Sequence, residues 1–217
     1  MDRSEWLLIA HIVVFAAWFG TDLATFTLSR RVVSSSTAPA SRAAIAGAMM
    51  SVEIFARLCL PLALGTGVLT AEDRGWIDWG WVAGAIGVIT PLWSVAVWLI
   101  HRGSTRLARI DLWWRSAVAV GVWVAAVASL VGDDPIAVRW LAVKLVCFAV
   151  IITSGIAIRF VLRPFSVAFG LILAEGSTPE REAIVTGSIR RAQPFVVLIW
   201  AALLLAAGLA VVQPALQ

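Results

Sequence analysis

Two ionisable side chains that lie at matching depth in apolar segments are the first candidates for a functional site. His11 lies in the first apolar segment and Lys144 in the fifth. An imidazole titrates near neutral pH and ligates transition metals, whereas an ammonium attracts anionic groups. At about 1.5 Å per helical residue, His11 lies about 8 Å and Lys144 about 10 Å below the outer end of its segment. If the two helices face each other, both side chains line one outward-opening cavity.

Each of these side chains also has a plainer interpretation. His11 is equally well explained as a histidine bonded to a neighbouring side chain. Lys144 lies within reach of the outer interface, where its stem can lie along apolar surface while the ammonium stays in water. Both interpretations remain open at the level of sequence.

A polar stripe on the first helix connects His11 with Trp18 and Asp22. Their offsets from His11 are seven and eleven residues, and eleven residues make almost three whole helical turns. Asp22 falls in the inner half of the segment. The stripe therefore runs from the outer candidate site towards a second layer of charge.

The second layer consists of ionisable side chains that apolar segments carry into the inner half of the membrane. They are Asp22, Glu53, Arg57, Arg115 and Arg159. Glu53 precedes Arg57 by four residues, which is the order that favours an ion pair on one helix face. Charged groups at membrane depth usually pair inside the bundle and are often functional. The layer is interpreted either as an ion-pair network that sets helix register or as a path for a substrate or protons.

The composition shows which elements must position these residues. The chain has 217 residues, of which 61% are hydrophobic and 14% are charged, and its mean hydropathy is +0.93. Soluble domains are typically about 45–50% apolar and about a quarter charged. The composition therefore excludes a soluble domain, a disordered chain and a nucleic-acid-binding protein, and it indicates a protein whose main contact is the lipid bilayer.

Six apolar runs are long enough to cross a hydrocarbon core, which needs about 20 residues of helix. They cover approximately residues 6–28, 44–70, 79–100, 112–131, 137–162 and 194–212. Helix is the predicted form because an unpaired backbone cannot face lipid and no alternating barrel pattern is present. The predicted fold is all-α, a polytopic bundle of six spans forming one integral membrane domain over residues 1–217. Gly65 and Gly67 in the second span predict close approach of neighbouring helices.

The loops alternate in charge, and this alternation predicts the orientation. Loops one, three and five carry the basic residues Arg30, Arg31, Arg42, Arg102, Arg106, Arg109, Arg190 and Arg191. Loops two and four carry the acidic residues Glu72, Asp73, Asp78, Asp133 and Asp134. By the positive-inside rule, loops one, three and five are cytoplasmic and both termini lie outside, in a bacterial-type plasma (inner) membrane.

The fifth connection is the longest and is predicted to hold short helices. Phe165–Ala174 is apolar enough to lie in the membrane interface. Ser177-Thr178-Pro179-Glu180 then resembles the start of a polar helix. We expect interfacial helices over about residues 165–190.

Three short motifs resemble one family of membrane proteins. They are His11-x6-Trp18-x-Gly20 followed by Arg30-Arg31, Arg139-Trp140-x3-Lys144, and Glu53-x3-Arg57 followed by Pro61-Leu62-x4-Gly67. They resemble the superfamily that contains the membrane domain of copper-resistance protein D and the HemJ-type protoporphyrinogen oxidase. The resemblance covers the first and fifth spans well and the second loosely.

The resemblance implies a helical bundle that holds heme b or handles copper. His11 would be the ligand of the iron or copper, with Trp18 packed nearby. Lys144 would interact with a propionate or a substrate carboxylate, or would support the His11 environment electrostatically.

One departure from the family pattern limits the ligand set. The HemJ-type proteins have a second histidine about three turns after the lysine, where this chain has Thr153-Ser154-Gly155. The other histidine here, His101, lies at the inner end of the third span, about 25 Å from His11. The two histidines cannot ligate one metal together, so bis-histidine heme is excluded and mono-histidine heme remains. A copper site made only of side chains has few matching ligands.

Three functional hypotheses therefore stay open, and whether the protein is an enzyme stays open with them. The first is a heme-associated redox protein that uses His11. The second is a transporter for copper or a small solute, motivated by the layered buried charge. The third is a non-catalytic subunit of a larger membrane complex, or a homo-oligomer, held by apolar contacts.

Overall fold

The chain folds as a bundle of α-helices in the computed structural model, which describes residues 1–132, 136 and 138–213. The described part contains no β-strand. Its helices are α1 (Arg3–Val32), α2 (Pro39–Asp73), α3 (Trp81–His101), α4 (Thr105–Val131), α5 (Arg139–Val161), α6 (Arg163–Glu175) and α7 (Pro179–Val212). Asp133 and Asp134, which support the predicted orientation, lie outside the described residues.

Six of these helices are long and apolar enough to span a membrane, namely α1 to α5 and α7. The predicted all-α fold with six spans is confirmed, and the chain is a multi-pass membrane protein. We call the end of the bundle that holds the α1–α2, α3–α4 and α5–α7 connections the inner end, following the predicted orientation. The opposite end is the outer end.

Several helices extend beyond the apolar runs that revealed them. The last helix begins at Pro179 rather than near residue 194, so the predicted polar helix and the sixth span form one 34-residue element. The Thr178 hydroxyl accepts a hydrogen bond from the Arg181 backbone N–H and caps this helix. At about 1.5 Å per residue, α7 is about 51 Å long, whereas a hydrocarbon core is about 30 Å thick. Hydropathy detects the lipid-embedded part of a helix, and the backbone hydrogen bonds continue beyond it.

The six spans are arranged in two rows of three helices. Close backbone contacts join α1 to α2, α2 to α3, α4 to α5 and α5 to α7, and sparser contacts join α3 to α4 and α1 to α7. The rows are therefore α1–α2–α3 and α4–α5–α7, with α2 and α5 in the middle. The space between the rows is the interior of the bundle, and it holds the candidate functional residues.

A buried arginine connects four helices at the inner end of the bundle. Arg42 is 1% exposed; its guanidinium donates to both Glu182 carboxylate oxygens, at 2.6 and 3.0 Å, and to the Val32 carbonyl at 2.7 Å. It also lies 5.5 Å from the Phe169 ring centroid of α6. Although sequence analysis counts Arg42 as a loop charge, it lies inside α2 and connects α1, α2, α6 and α7.

Candidate functional site: two polar layers in the bundle

The outer layer is built around a hydrogen bond between α1 and α2. His11 Nδ1 lies 2.9 Å from Thr66 Oγ1. The same hydroxyl lies 2.7 Å from the Leu62 carbonyl oxygen one turn earlier in α2. The His11 ring also lies against Gly67, where an added Cβ would come within 3.1 Å of Cε1. Glycine at position 67 therefore leaves the space that the imidazole occupies.

The shorter contact of the Thr66 hydroxyl, to the Leu62 carbonyl, favours one tautomer of neutral His11. A carbonyl can only accept, so the single Thr66 hydroxyl proton goes to Leu62. In that arrangement Thr66 Oγ1 accepts from His11, and the proton of the neutral ring lies on Nδ1. Nε2 keeps its lone pair and has no hydrogen-bond partner among the described residues. A histidine whose Nδ1–H is fixed by a neighbour presents Nε2 as a metal ligand or a base.

Lys144 brings a positive charge to the same region from the second row of helices. Its ammonium acts electrostatically on the His11 ring and on the Cys147 thiol, three residues further along α5. No hydrogen bond or ion pair to another described residue holds it. All fully buried side-chain nitrogens and oxygens in the described part of the chain have partners. His11 Nε2 and Lys144 Nζ have none, so neither atom is completely enclosed by packed side chains.

An apolar layer closes the outer site from below. Trp18 is 5% exposed and packs edge-on against Phe148 of α5, with 6.5 Å between ring centroids. Two turns separate Trp18 from His11 on α1, which is about 10 Å along the helix axis. Trp200 of α7 lies deeper still. Phe19 and Phe26 of α1 make ring contacts with Trp200, and Asp22 of α1 accepts a hydrogen bond from its indole. The predicted stripe thus continues inward through aromatic side chains.

The inner layer contains a buried carboxylate that sequence analysis missed. Asp111 Oδ1 accepts from Trp93 Nε1 at 2.9 Å, and Oδ2 accepts from Arg115 Nε at 2.8 Å and from Arg159 Nη1 at 3.3 Å. Arg159 also donates to the Ala108 carbonyl at 2.9 Å. The apolar run of the fourth span starts at Leu112, so Asp111 falls one residue outside it. Its position four residues before Arg115 is the signal that could have found it.

Asp111 is the structural centre of this layer. It connects α3, α4 and α5, and the Arg115 guanidinium lies 5.2 Å from the Trp93 ring centroid. Breaking such a buried pair by removing one partner typically costs about 3–5 kcal/mol. The ion-pair interpretation of the layer therefore applies to Arg115 and Arg159.

The other predicted members of the layer are arranged differently. Arg57 donates from Nε and Nη2 to Glu53 Oε1, at 3.1 and 2.7 Å, within α2. Asp22 accepts from Trp200 Nε1 at 2.7 Å and acts electrostatically on Glu53. A solvated pair at this spacing contributes about 0.3–0.5 kcal/mol. An arginine at membrane depth costs about 2.5–3.5 kcal/mol. The Glu53–Arg57 pair alone therefore does not offset the free-energy cost of placing Arg57 in the membrane.

His11 is the metal ligand that the family resemblance implies for the outer site. No group of three His, Cys, Asp or Glu side chains that could hold a metal ion occurs among the residues that the structure describes. Heme supplies four nitrogen ligands itself, so one imidazole with a free Nε2 is enough to hold its iron. His101 is exposed near Trp98 at the end of α3, and His11 lies near the start of α1. The two histidines are at opposite ends of the bundle.

A separate apolar cavity lies between α3 and α4. Its volume is about 260 Å³, and three tryptophans, Trp79, Trp93 and Trp114, contribute to its wall. No ionisable side chain lines it. The cavity follows the sparsely packed α3–α4 seam, and Trp93, whose indole donates to Asp111, connects its wall to the inner layer.

Comparisons with protein-family models, with curated proteins and with solved structures find no match to this chain. The resemblance to the family of copper-resistance protein D and HemJ therefore stays an expectation based on the quoted motifs.

Proposed function

We propose that this membrane protein binds heme b through His11 Nε2, in a cavity that opens towards the outer side of a bacterial-type plasma membrane. The observation that carries the proposal is the 2.9 Å contact between His11 Nδ1 and Thr66 Oγ1, because it leaves Nε2 without a hydrogen-bond partner among the described residues. Bound heme would supply one-electron redox chemistry.

Each residue of the outer site has a defined part in this proposal. Thr66 holds the ring orientation and keeps the proton on Nδ1, and Gly67 provides the room for the ring. Lys144 offers its ammonium to a carboxylate of the ligand. Trp18 and Phe148 form an apolar floor that keeps water from entering the core.

The test is the absorption spectrum of the full-length protein, purified in mild detergent after heme-supplemented expression. We expect a Soret band, with α and β bands that sharpen on reduction with dithionite. His11→Ala should abolish these bands. His101→Ala is the matched control, because His101 is the other histidine of the chain and is exposed at the inner end.

Two outcomes would contradict the proposal. One is a colourless wild-type protein under heme-replete conditions, above all if it co-purifies with a membrane partner, which would favour the subunit hypothesis. The other is an unchanged spectrum in His11→Ala, because the iron would then be held elsewhere.

A further inference from the structure

The apolar cavity between α3 and α4 is a slot that runs along the helices, and we call it the slot. Its inner limit is formed by Trp93 of α3 and Trp114 of α4, which pack edge to face with 6.0 Å between ring centroids. From this pair its wall continues outward along α4 to Ala125. These eleven helical residues cover about 16 Å, which is about half the thickness of a hydrocarbon core of about 30 Å. The slot is therefore about as long as one leaflet of a bilayer is deep.

The wall of the slot suits an apolar ligand. The Thr90 hydroxyl donates to the Ile86 carbonyl at 2.8 Å, and the Trp93 indole donates to Asp111 Oδ1 at 2.9 Å, so both donors are engaged within the protein. A buried water needs about two to four polar partners, and an apolar cavity of about 150 Å³ stays dry and binds apolar molecules such as benzene. The slot, at about 260 Å³, is larger than that.

The slot opens towards the hydrocarbon of the membrane. Leu64 and Val68 of α2 and Leu145 of α5 form its back wall, while its sides are α3 and α4, the spans at the ends of the two rows. Ile89 and Gly121 of the sides are exposed, and each lies about 12–15 Å from the outer end of its helix. Exposed aliphatic side chains at this depth, typical of a lipid-facing surface, flank the opening: Val88, Leu92, Val120 and Val124.

Gly121 contributes to the width of the slot. It lines the slot in the middle of α4, and an added Cβ there would meet nothing within 4 Å. Side chains that face an empty space lose the dispersion contacts that a packed neighbour supplies. Because α3 and α4 contact each other only sparsely, an occupant of the slot would restore such contacts and join the two rows of helices.

We propose that the slot binds one acyl chain of a phospholipid from the leaflet at the outer end, with the chain terminus against the Trp93–Trp114 pair. Acyl chains surround the opening at this depth, and their reach within one leaflet matches the length of the slot. A partner helix does not fit, because a helix with its side chains is about 10–12 Å across and needs far more than 260 Å³ over this length. His11 is not among the lining residues, so the site is independent of the proposed heme site.

The test is photocrosslinking of the full-length protein in lipid nanodiscs. The nanodiscs contain a phosphatidylglycerol with a diazirine near the middle of one acyl chain, and labelled residues are identified by peptide mass spectrometry after irradiation. Val68 and Val122 line the slot and are 8% and 9% exposed, whereas Val124 is 63% exposed beside the opening. We expect label on Val68 and Val122 as well as on Val124. Label on the two buried valines distinguishes a chain in the slot from the lipid that surrounds the protein.

Variants that fill the slot connect this label to it. Gly121→Leu should abolish label on the two buried valines and leave label on Val124 unchanged. Val118→Phe enlarges a second lining residue and should act in the same way. Gly84→Leu is the matched control, because Gly84 is an exposed glycine of α3 outside the slot and an added Cβ there meets nothing within 4 Å. His11→Ala should be labelled like the wild type, which separates this result from the heme proposal.

Three outcomes would overturn the proposal. The first is label confined to Val124 and other exposed residues, because the slot would then admit no chain. The second is undiminished label on the buried valines in both Gly121→Leu and Val118→Phe. The third is loss of label on the buried valines when an isoprenoid quinone is added in an amount equal to the phospholipid probe, because the slot would then prefer a branched chain.

Discussion

At the residue scale, one hydroxyl decides what His11 can do. The Thr66 hydroxyl donates a hydrogen bond to the Leu62 carbonyl, and its oxygen can then accept one from His11 Nδ1. Without this partner the ring could rotate or exchange its proton between the two nitrogens. The functional group is thus a pair of side chains on two helices, and the threonine is the part that sequence analysis did not identify.

Thr66→Val is expected to lower the affinity for heme by about 10- to 100-fold, the usual effect of removing the partner that orients a ligating histidine. The affinity is measured by titrating the apoprotein with hemin and following the Soret band. Thr27→Val is the control, because Thr27 makes the same bond to a carbonyl one turn back, that of Leu23, and contacts no histidine. Equal affinity in Thr66→Val and Thr27→Val would show that the Thr66 bond does not position His11.

At the element scale, single glycines set the spacing between helices. Gly65 of α2 lies against Thr90 of α3, where an added Cβ would come 2.0 Å from Oγ1 and 3.0 Å from the Thr90 Cβ. Rotation of the Thr90 side chain cannot remove the second contact. The α2–α3 distance therefore depends on the absence of a side chain at position 65, as the small-residue pattern predicts.

Gly65→Ala should destabilise the bundle by about 1–3 kcal/mol, the usual cost of overpacking a close contact. Gly84→Ala on α3 is the control, because an added Cβ there meets nothing within 4 Å. Both variants are compared with the wild type by thermal unfolding in detergent. A Gly65→Ala variant as stable as Gly84→Ala would mean that α2 and α3 can separate at little cost.

The ion pair between Glu182 of α7 and Arg42 of α2 should make the thermal stability of the protein depend on pH. The hydrogen bonds from Arg42 hold the pKa of the Glu182 carboxyl below its ordinary value of 4.5. A carboxylate whose pKa is lower in the folded state than in the unfolded state stabilises the folded protein. This stabilisation is complete when the pH is above the unfolded pKa, and it is lost as the pH falls through the folded pKa. Glu182→Gln should therefore lower Tm at pH 7 and flatten the fall in Tm below about pH 4.5.

Glu175→Gln is the matched variant for this measurement. Its ion pair with Arg181 is exposed at the end of α6, and exposed pairs contribute at most about 1 kcal/mol. We expect its Tm at pH 7 to stay close to that of the wild type. If Glu175→Gln and Glu182→Gln have the same Tm at each pH from 7 to 3, the buried Arg42–Glu182 pair does not stabilise the inner end.

At the scale of the whole molecule, two polar layers are separated by apolar side chains. His11 and Lys144 belong to the outer layer, and Asp111, Arg115 and Arg159 belong to the inner layer. Between the two layers lie Trp18 and Phe148, together with the buried thiols of Cys59 and Cys147. These apolar side chains therefore separate the outer layer from the inner layer.

The predicted orientation can be tested on intact cells with single cysteines in a Cys59→Ala, Cys147→Ala background. Ser35→Cys lies in the exposed α1–α2 loop and Asp78→Cys in the exposed α2–α3 loop. A membrane-impermeant maleimide should label Asp78→Cys at once and Ser35→Cys only after permeabilisation. The reverse pattern would place both termini inside and would exchange the sides of the two layers.

The sequence by itself determined the six spans, and from the helical rise it predicted the depth of each polar residue and two polar layers. Hydropathy is a local property, and a helix of known rise converts residue number into depth. Hydropathy does not mark where a helix ends, because α7 and α4 continue beyond their apolar runs. Asp111 lies in the part of α4 that precedes the apolar run, so hydropathy does not identify it.

Only the tertiary structure decided which side chains meet. Whether Asp22 pairs with an arginine or with Trp200, and whether Thr66 or another residue orients His11, depends on how each helix is rotated and which neighbour it faces. That rotation results from the packing of all six spans in two rows, where glycines such as Gly65 permit contact and Arg42 fastens the inner end. Such contacts join residues up to 178 positions apart, so no local pattern in the chain records them.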